Sequence, residues 1–306
     1  MTALVIVDPG PFSHIQDAGR IGYEHLGIAR AGALDYASFA LAQALAGNLP
    51  QDAAIEMTYR GLSFIASEPL AIATTGVTGV YINGREHPGW SLLLVPAGAK
   101  VQMGPMQRVR GYLAVRGGLD VPVVMGSRST DFTAAIGGYC GRALRAADEL
   151  EVLPPSSPVA LPRSPQAVGR EPDYSPLRVI LGPRSEYFSA AALRTLLTQP
   201  FALSSHSNIM GLRLTGPTVT TRPGLPALLS EGTVPGSIQI PPDGHPIILL
   251  NQRGTTGGYP VAAVLVTPDL WRAAQWPLSQ PLSFRALTLA GGQRAARHAF
   301  ERLGII

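Results

Sequence analysis

The sequence contains one cysteine and one lysine among its 306 residues, Cys140 and Lys100. A lone thiol can form neither an internal disulfide nor a multi-thiolate metal site, and we expect Cys140 to be a small, buried, apolar side chain. With one lysine, the chain also lacks the glycine-rich loop ending in Lys-Ser or Lys-Thr that cradles nucleotide phosphates. Schiff-base chemistry would depend on Lys100 alone.

Other common signals of function are also missing. The six histidines show no metal-ligand spacing and no Gly-x-Ser-x-Gly elbow is present, so metalloenzymes and serine hydrolases are not favoured. The net charge of +4 comes from scattered basic residues rather than a basic block, which argues against a nucleic-acid partner. Neither a basic signal-peptide leader nor a membrane-length apolar run is visible, and the default expectation is a soluble cytoplasmic protein.

The composition predicts a globular, mainly β protein. Hydrophobic residues make up 46% of the chain and charged residues 14%, while 34 glycines and 28 prolines favour turns over long helices. Short apolar runs predict strands at residues 4–7, 72–74, 91–95, 112–115, 150–153, 179–181, 213–214, 237–240, 247–250 and 262–266. Helices are expected at residues 34–46, 185–198 and 293–303, with Ser185 capping the second. This pattern indicates two β-rich, barrel-like domains.

A proline-rich segment divides the chain. Its prolines, at positions 154, 155, 158, 162, 165, 172 and 176, are incompatible with a helix or a central strand. Residues 154–176 are therefore predicted to be a semi-extended linker. It would join an N-terminal domain, residues 1–153, to a C-terminal domain, residues 177–306.

The most informative stretch is residues 251–260, Asn-Gln-Arg-Gly-Thr-Thr-Gly-Gly-Tyr-Pro, which we refer to as the 251–260 loop. Its glycines allow close approach to a ligand, and its polar side chains supply both donors and acceptors. The candidate substrate-binding residues here are Asn251, Gln252, Thr255, Thr256 and Tyr259. Gln239 alternates with apolar neighbours and is expected to point into a cavity beside this loop. The pattern is typical of a site for a small polar molecule.

Asp17 and Arg20 lie three positions apart around a glycine-permitted turn. The guanidinium could orient the carboxylate or bind a substrate carboxylate. Alternatively, the pair stabilises a turn on the surface. Both residues are carried forward as catalytic candidates.

Two further carboxylates are candidates for acid–base chemistry. Asp35 lies at the start of the first predicted helix, where it is most simply a cap. Glu56 lies between Ile55 and Met57 in an apolar stretch, where an unpaired carboxylate is costly to bury. We expect an arginine partner for Glu56, whose role stays open between a structural ion pair and a site acid or base.

Arginines and hydroxyls supply candidate anion contacts. Ser127 and Ser129 flank Arg128 in a donor-rich turn that suits phosphate or carboxylate, or that stabilises its own loop. Arg116 precedes a pair of glycines. Arg213 lies in an otherwise apolar strand and so faces either solvent or a site.

Five motifs occur in a fixed order along the chain. They are residues 15–20, Ile-Gln-Asp-Ala-Gly-Arg; 31–35, Ala-Gly-Ala-Leu-Asp; 112–118, Tyr-Leu-Ala-Val-Arg-Gly-Gly; 126–130, Gly-Ser-Arg-Ser-Thr; and 255–260, Thr-Thr-Gly-Gly-Tyr-Pro. Together they resemble the KipA family, also called allophanate hydrolase subunit 2 or the C subunit of 5-oxoprolinase. That family is similar to the carboxyltransferase domain of urea carboxylase. The resemblance extends from about Pro9 to Phe284.

The resemblance implies two cyclophilin-like β-barrel domains and a hydrolase that acts on a cyclic amide. The reaction would open 5-oxo-L-proline to L-glutamate at the expense of ATP, giving ADP and phosphate. The implied partners are a KipI-like protein and a LamB/YcsF-like protein, the other two subunits of the enzyme, without which the chain is expected to be inactive. ATP would be bound in the complex, by this chain or by one of its partners.

Residue roles follow from this implied reaction. The arginines that would balance phosphoryl charge are Arg20, Arg116, Arg128 and Arg213. The carboxylates that would orient water or a proton are Asp17, Asp35 and Glu56. Donors from Thr255, Thr256 and Gln239 would bind the amide unit of the substrate.

Two alternatives follow from the same resemblance. The first is a biotin-dependent carboxyltransferase acting on urea or a related amide, with biotin supplied by another chain because the Met-Lys attachment pair is missing. The second is a regulatory antagonist that binds a KipI-type kinase inhibitor. Two positions depart from the usual family pattern: Gln252 replaces an aspartate, and Ile209 replaces an arginine. At position 252 an amide that cannot ionise thus replaces an acid or base.

Overall fold

The computed structural model describes residues 3–155 and 172–304. Within these ranges the chain is mainly β, with twenty strands and four short α-helices, as the sequence predicts. Residues 156–171, most of the predicted linker 154–176, lie outside the described residues. No helix of the described ranges combines the length and apolar character needed to cross a membrane.

The chain divides into two compact units. The first comprises Met1–Tyr23 and Arg30–Arg170, and the second comprises Glu24–Ala29 and Glu171–Ile306. The segment Glu24–Ala29, which lies inside the first predicted domain by sequence, therefore clusters with the second unit. The domain limits 1–153 and 177–306 stay predictions, since the intervening residues are mostly undescribed.

The first unit contains two antiparallel sheets. Its strands are β1 (Ala3–Asp8), β2 (Phe12–Gln16), β3 (Ala54–Thr58), β4 (Ser63–Ala66), β5 (Leu70–Thr75), β6 (Gly79–Ile82), β7 (Arg85–Pro88), β8 (Leu92–Val95), β9 (Lys100–Met103), β10 (Arg110–Val115) and β11 (Glu149–Glu151). The strand orders are β11-β1-β4-β9-β6-β7 and β2-β3-β10-β5-β8.

The five-stranded sheet is apolar on one face and carries a helix on the other. Leu113 of β10 joins Phe64 of the six-stranded sheet in one core cluster of fully buried residues. Its neighbour Ala114 packs instead with Phe39 of helix α1 (Tyr36–Ala46). Because side chains alternate along a strand, residues 56 and 112 lie on the helix-covered face.

Helix α1 ends where its sequence predicts, but it begins at Tyr36, two residues later than predicted. The Asp35 carboxylate caps it by accepting hydrogen bonds from the backbone N–H of Ser38 at 3.2 Å and from the Ser38 hydroxyl at 2.6 Å. Gly47 ends it in the left-handed conformation, with φ of 71°. The predicted capping role of Asp35 is confirmed.

The second unit is built on a seven-stranded sheet. Its elements are β12 (Leu177–Leu181), α2 (Ala190–Thr198), β13 (Ala202–Leu203), β14 (Gly211–Thr215), β15 (Glu231–Gly232), β16 (Ser237–Gln239), β17 (Ile247–Leu249), β18 (Thr256–Gly257), β19 (Val261–Leu265), α3 (Thr267–Ala274), β20 (Phe284–Ala286) and α4 (Leu289–Arg302). The large sheet has the order β13-β14-β17-β16-β19-β12-β20, and β15 pairs separately with β18.

Two helix predictions in this unit need correction, and one helix was missed. Ser185 does not cap α2: Ser185–Tyr187 is a 3₁₀ turn, and Ser189 accepts the capping bond from Ala192 N–H instead. Helix α4 begins at Leu289 rather than at 293, capped by Thr288. Helix α3 was not predicted, although Pro268 in its first turn is a helix-start signal.

Cys140 is exposed, so its predicted burial is wrong. Its backbone φ of 55° belongs to a tight turn. Turns of this kind lie at the surface, and the side chain follows the backbone there.

Candidate functional site

The Asp17 carboxylate is the centre of a closed hydrogen-bond cluster in the first unit. Its Oδ1 accepts from the Ser127 hydroxyl at 2.7 Å, the Ser129 hydroxyl at 2.6 Å and the Gly19 N–H at 2.8 Å. Its Oδ2 accepts from the backbone N–H of Arg128 at 2.5 Å. The residue is buried. The donor-rich turn predicted to bind an anion therefore binds the carboxylate of its own chain.

Arg20 lies in the same cluster but is not paired directly with Asp17. The guanidinium is fully buried and donates to the carbonyl oxygens of Val124 at 2.9 Å and Ser129 at 3.0 Å. Burial lowers the pKa of Arg20, and the charges of Asp131 and Asp17 oppose that shift. The prediction of a surface pair is wrong on location, since both residues are buried.

The other two candidate arginines of the first unit, Arg116 and Arg128, also have partners within the structure. The side chain of Arg128 donates to the carbonyl of Val121, and its Nη1 lies 3.8 Å from Asp120. Arg116 lies over Gly47, where an added Cβ would meet Nη1 at 3.1 Å. A cation at this position stabilises the negative end of α1.

Glu56 belongs to a second buried cluster, which crosses three strands. The strand register places His14 and Tyr112 on either side of Glu56. Oε2 of Glu56 accepts from the Tyr112 hydroxyl at 2.7 Å and from Leu34 N–H at 2.9 Å, while Oε1 lies 3.5 Å from Nε of Arg110. The predicted arginine partner is confirmed.

Burial sets the ionisation of this cluster. It lowers the pKa of His14 to about 3, helped by the charge of Arg110, so the imidazole is neutral at pH 7. Burial also raises the pKa of Glu56. The charge of Arg110 and the hydrogen bonds from Leu34 and Tyr112 act against this rise. The pKa of Tyr112 is raised by burial and by the neighbouring charge of Glu56.

Asp35 is joined to this cluster through its backbone. Its N–H donates to the Tyr112 hydroxyl at 2.9 Å, and its carboxylate lies 3.9 Å from Nη1 of Arg108. Since the carboxylate also caps α1, Glu56 and Tyr112 fix the turn that starts the helix. Asp35 and Glu56 thus lie in one cluster, and the carboxylates of both are buried and hydrogen-bonded within the chain.

In the second unit the 251–260 loop follows β17 and is half anchored, half exposed. Gln252 and Arg253 are buried, whereas Thr256 and Tyr259 are exposed. Asn251 and Gln252 both have polar partners within the structure. The loop therefore has an inner end that holds it and an outer end that faces solvent.

Arg253 anchors the inner end. Its Nε donates to the Thr233 hydroxyl at 3.1 Å and its Nη2 to the Thr233 carbonyl at 2.8 Å. The same Nη2 contacts the carboxylate of Glu24, so the segment Glu24–Ala29 is tied to the loop within this unit. Sequence reasoning missed this role of Arg253, because its charge partner lies far away in the chain.

Gln239 supports the outer end of the loop. Its Nε2 donates to the Tyr259 carbonyl at 3.4 Å. A Cβ at position 257 would lie 2.5 Å from that nitrogen, so Gly257 permits this approach. Gln239 is buried against the loop, and its amide positions the loop backbone.

The outer hydroxyls of the loop are unengaged. Within the described ranges no hydrogen bond involves the side-chain hydroxyl of Thr255, Thr256 or Tyr259. In the first unit, by contrast, both Asp17 oxygens and the two serine hydroxyls are occupied. Groups that remain available are the ones that can bind a ligand.

A cavity of about 390 Å³ adjoins this outer end. Gly258, Tyr259 and Pro260 form part of its wall, together with Tyr187 and Arg222. Sequence reasoning missed both of the latter, since neither residue stands in a recognisable motif. The cavity makes the loop's exposed side a candidate binding site.

Arg213 does not join this group. It is exposed on β14 opposite Ile247, at the start of β17, whereas the 251–260 loop follows the other end of that strand. It lines a separate polar groove with His206 and His245. Of the two predicted alternatives, solvent or a site, Arg213 faces solvent, at the edge of this groove.

Comparisons with known proteins give matches that cover most of the chain. The sequence profile described as carboxyltransferase domain, subdomain A and B, matches residues 26–286. The chain is 35% identical over 305 residues to the C subunit of 5-oxoprolinase from Escherichia coli (strain K12), covering 98% of this chain and 97% of that protein. It is 30% identical to urea amidolyase of Saccharomyces cerevisiae, over 94% of this chain and 17% of that protein. The crystal structure of the K. lactis urea amidolyase superposes with a TM-score of 0.88 at 27% identity, over 98% of this chain and 20% of that one.

Proposed function

Because this chain belongs to the family of carboxyltransferase domains with subdomains A and B, we propose that it is the C subunit of an ATP-dependent 5-oxoprolinase. The reaction converts 5-oxo-L-proline, ATP and two molecules of water to L-glutamate, ADP and phosphate. The 35% identity along nearly the whole of a protein named as the C subunit of 5-oxoprolinase supports this substrate over urea. The urea amidolyases match over only about a fifth of their length or less.

One observation carries the placement of the substrate site. Tyr259 lies on the cavity wall, and the loop that carries it has a backbone fixed by Gln239 and Arg253. The hydroxyls of Thr255 and Thr256, unengaged within the described ranges, belong to the same loop, four and three positions before Tyr259 respectively. A lactam needs donors for its oxygen and an acceptor for its N–H, and preorganised hydroxyls and backbone groups supply both. We therefore place the lactam at the outer end of the 251–260 loop.

The carboxylates of the first unit have a different role in this proposal. Asp17 and Glu56 are buried and accept hydrogen bonds from their own chain, and Asp35 caps α1. We propose that Asp17, Arg20, Asp35 and Glu56 position loops and a helix rather than contact substrate. Their predicted catalytic role would then be indirect.

The ATP-dependent step activates the lactam. Its carbonyl oxygen attacks the γ-phosphorus, an O–P bond forms, and ADP leaves. Water then adds to the ring carbon, and the C–N bond opens to give an acyl phosphate and the free amine. A second water attacks the carbonyl carbon of the acyl phosphate, and phosphate leaves with the original oxygen, which gives glutamate. Arg20, Arg116 and Arg128 are engaged inside the first unit, so they do not fit a phosphate-binding role. We propose that the KipI-like and LamB/YcsF-like partners hold ATP.

Reconstitution tests the proposal. The chain is mixed with the purified KipI-like and LamB/YcsF-like proteins, 5-oxo-L-proline and ATP, and glutamate is measured with and without each component. The proposal expects glutamate and ADP in equal amounts from the complete set alone. A complete set that forms no glutamate would reject it.

A biotin-dependent carboxyltransferase is the second candidate, favoured by the TM-score of 0.88 with urea amidolyase. It would transfer a carboxyl group to urea or a related amide from biotin carried by another chain. The same preparation, supplied with a biotin carboxylase, a biotinylated carrier, bicarbonate and urea, distinguishes the two. Consumption of urea without consumption of 5-oxoproline would favour the second candidate.

A further inference from the structure

An arginine without a carboxylate partner lies at the wall of the cavity beside the 251–260 loop. Arg222 is fixed by two bonds to one neighbouring segment: its N–H donates to the Tyr187 carbonyl at 2.8 Å, and its Nε donates to the Phe188 carbonyl at 3.0 Å. No ion pair or further side-chain bond involves it among the described residues. Its two Nη groups are therefore free, and the bond at Nε holds them in a defined place.

The rest of the wall is largely apolar and aromatic. Tyr187 and Tyr259 contribute rings, and Leu225, Ile240 and Pro241 contribute aliphatic surface. Such walls pack against a small ring, while a guanidinium with two free nitrogens binds a carboxylate in a bidentate manner. The cavity thus combines an apolar wall, one fixed positive charge and a hydroxyl-bearing residue of the 251–260 loop, Tyr259.

We propose that Arg222 binds the substrate carboxylate and that this cavity selects a cyclic amide bearing a carboxylate over a neutral amide. The inference rests on the proposed function and names its specificity residue. A neutral amide such as urea would leave the guanidinium without its anionic partner. A site built around one polar group discriminates strongly against a ligand that lacks the matching group.

The test uses the complete three-protein complex and two ligands that differ in one group. 5-Oxo-L-proline is the substrate, and 2-pyrrolidinone, the same ring without the carboxylate, is the competitor. The variants of this chain are Arg222→Gln, Arg222→Lys and, as a matched control, Arg285→Gln, which changes an exposed arginine on β20. Thermal unfolding verifies that each variant is folded.

The expected result is a rise in KM for 5-oxoproline of about 10- to 100-fold in Arg222→Gln, with kcat changed far less. Arg222→Lys should recover part of the loss, because it keeps the charge but not the fork. Arg285→Gln should match the unmodified complex. In that unmodified complex 2-pyrrolidinone should bind at least about 10-fold more weakly than 5-oxoproline. Arg222→Gln should reduce this difference in affinity between the two ligands.

The outcomes separate this inference from the proposed function. One outcome is that the complex forms glutamate while Arg222→Gln keeps KM within about twofold of the unmodified value. Arg222 then does not bind the substrate carboxylate, and the proposed 5-oxoprolinase function is unaffected. If 2-pyrrolidinone binds the unmodified complex as tightly as 5-oxoproline, the inference is overturned even where a variant fails to fold. If the complete complex forms no glutamate, the function and the inference both fall.

Discussion

The Ser129 hydroxyl donates a hydrogen bond of 2.6 Å to Oδ1 of Asp17, 112 positions earlier in the chain. Ser127 and the Arg128 N–H complete the cradle. The candidate catalytic carboxylate of Asp17 and the turn at residues 127–129, predicted to bind an anion, therefore bind each other. This relationship supports the proposal that Asp17 positions the loops of the first unit.

Replacing Asp17 by alanine should destabilise the chain by about 3 kcal/mol or more, because it leaves two buried hydroxyls and two N–H groups without an acceptor. Denaturant unfolding measures the change. The matched control is Asp120→Ala, whose half-exposed carboxylate lies 3.8 Å from Arg128 and should matter by about 0.5 kcal/mol or less. A stable but inactive Asp17→Ala would instead favour direct catalysis.

Acid should destabilise the fold through His14. The unfolded chain takes up this proton near pH 6.5, while the folded chain resists until about pH 3, so stability is lost as pH falls between those values. At pH 5 the loss amounts to about 2 kcal/mol. The raised pKa of Glu56 has the opposite effect on stability as the pH falls. The free energy of unfolding of the unmodified chain is therefore compared with that of His14→Gln at each pH.

His14→Gln should lose less stability than the unmodified chain between pH 7 and pH 5. His298→Gln, which alters an imidazole 72% exposed, should keep the full dependence. Equal pH dependence in all three chains would show that His14 is not buried as a neutral group.

Replacing Arg253 by methionine should loosen the 251–260 loop without unfolding the unit. The N–H of Thr233 donates to the Thr255 carbonyl at 2.9 Å, so its hydrogen exchange reports on the loop. Exchange at Thr233 should accelerate by about tenfold or more. The amide of Val219, bonded to Gly244, is the internal control, and equal protection at Thr233 would deny Arg253 its anchoring role.

Thr256→Val should lower kcat/KM by about 100-fold while preserving stability, because its exposed hydroxyl bonds nothing in the described structure and valine keeps its shape. Thr215→Val, another exposed strand threonine, is the control. Full activity in Thr256→Val would remove this hydroxyl from the site.

The sequence predicts ten of the twenty strands in the described ranges, those marked by an apolar run, such as β10, which is buried along its whole length. Strands without such a run, such as β7 and the two-residue β18, carry no pattern that predicts them. The sequence also identifies Asp35 as a cap, since a cap acts within one turn. The cap of α2 was misplaced because Ser185 and Ser189 are equally good caps locally. Only the extended backbone at Phe188 decides between them.

The site was harder to predict, because it depends on partners distant in sequence. Arg253 and Glu24 are 229 positions apart, and no local pattern predicts that a charged loop residue is buried. Likewise, nothing near Arg222 indicates that it lacks a carboxylate partner. That the Thr256 hydroxyl is unbonded within the described ranges can be recognised only from the structure, because it depends on where all the neighbouring donors and acceptors lie.

The most direct test of the central claim is the rate of glutamate release from 5-oxo-L-proline and ATP as this chain is added to fixed amounts of the KipI-like and LamB/YcsF-like proteins. We predict no release without the chain and a rate that rises to saturation as it is added. The same addition of Thr256→Val should saturate at a much lower rate. Glutamate release that is absent throughout, or unchanged by the chain, would contradict the account.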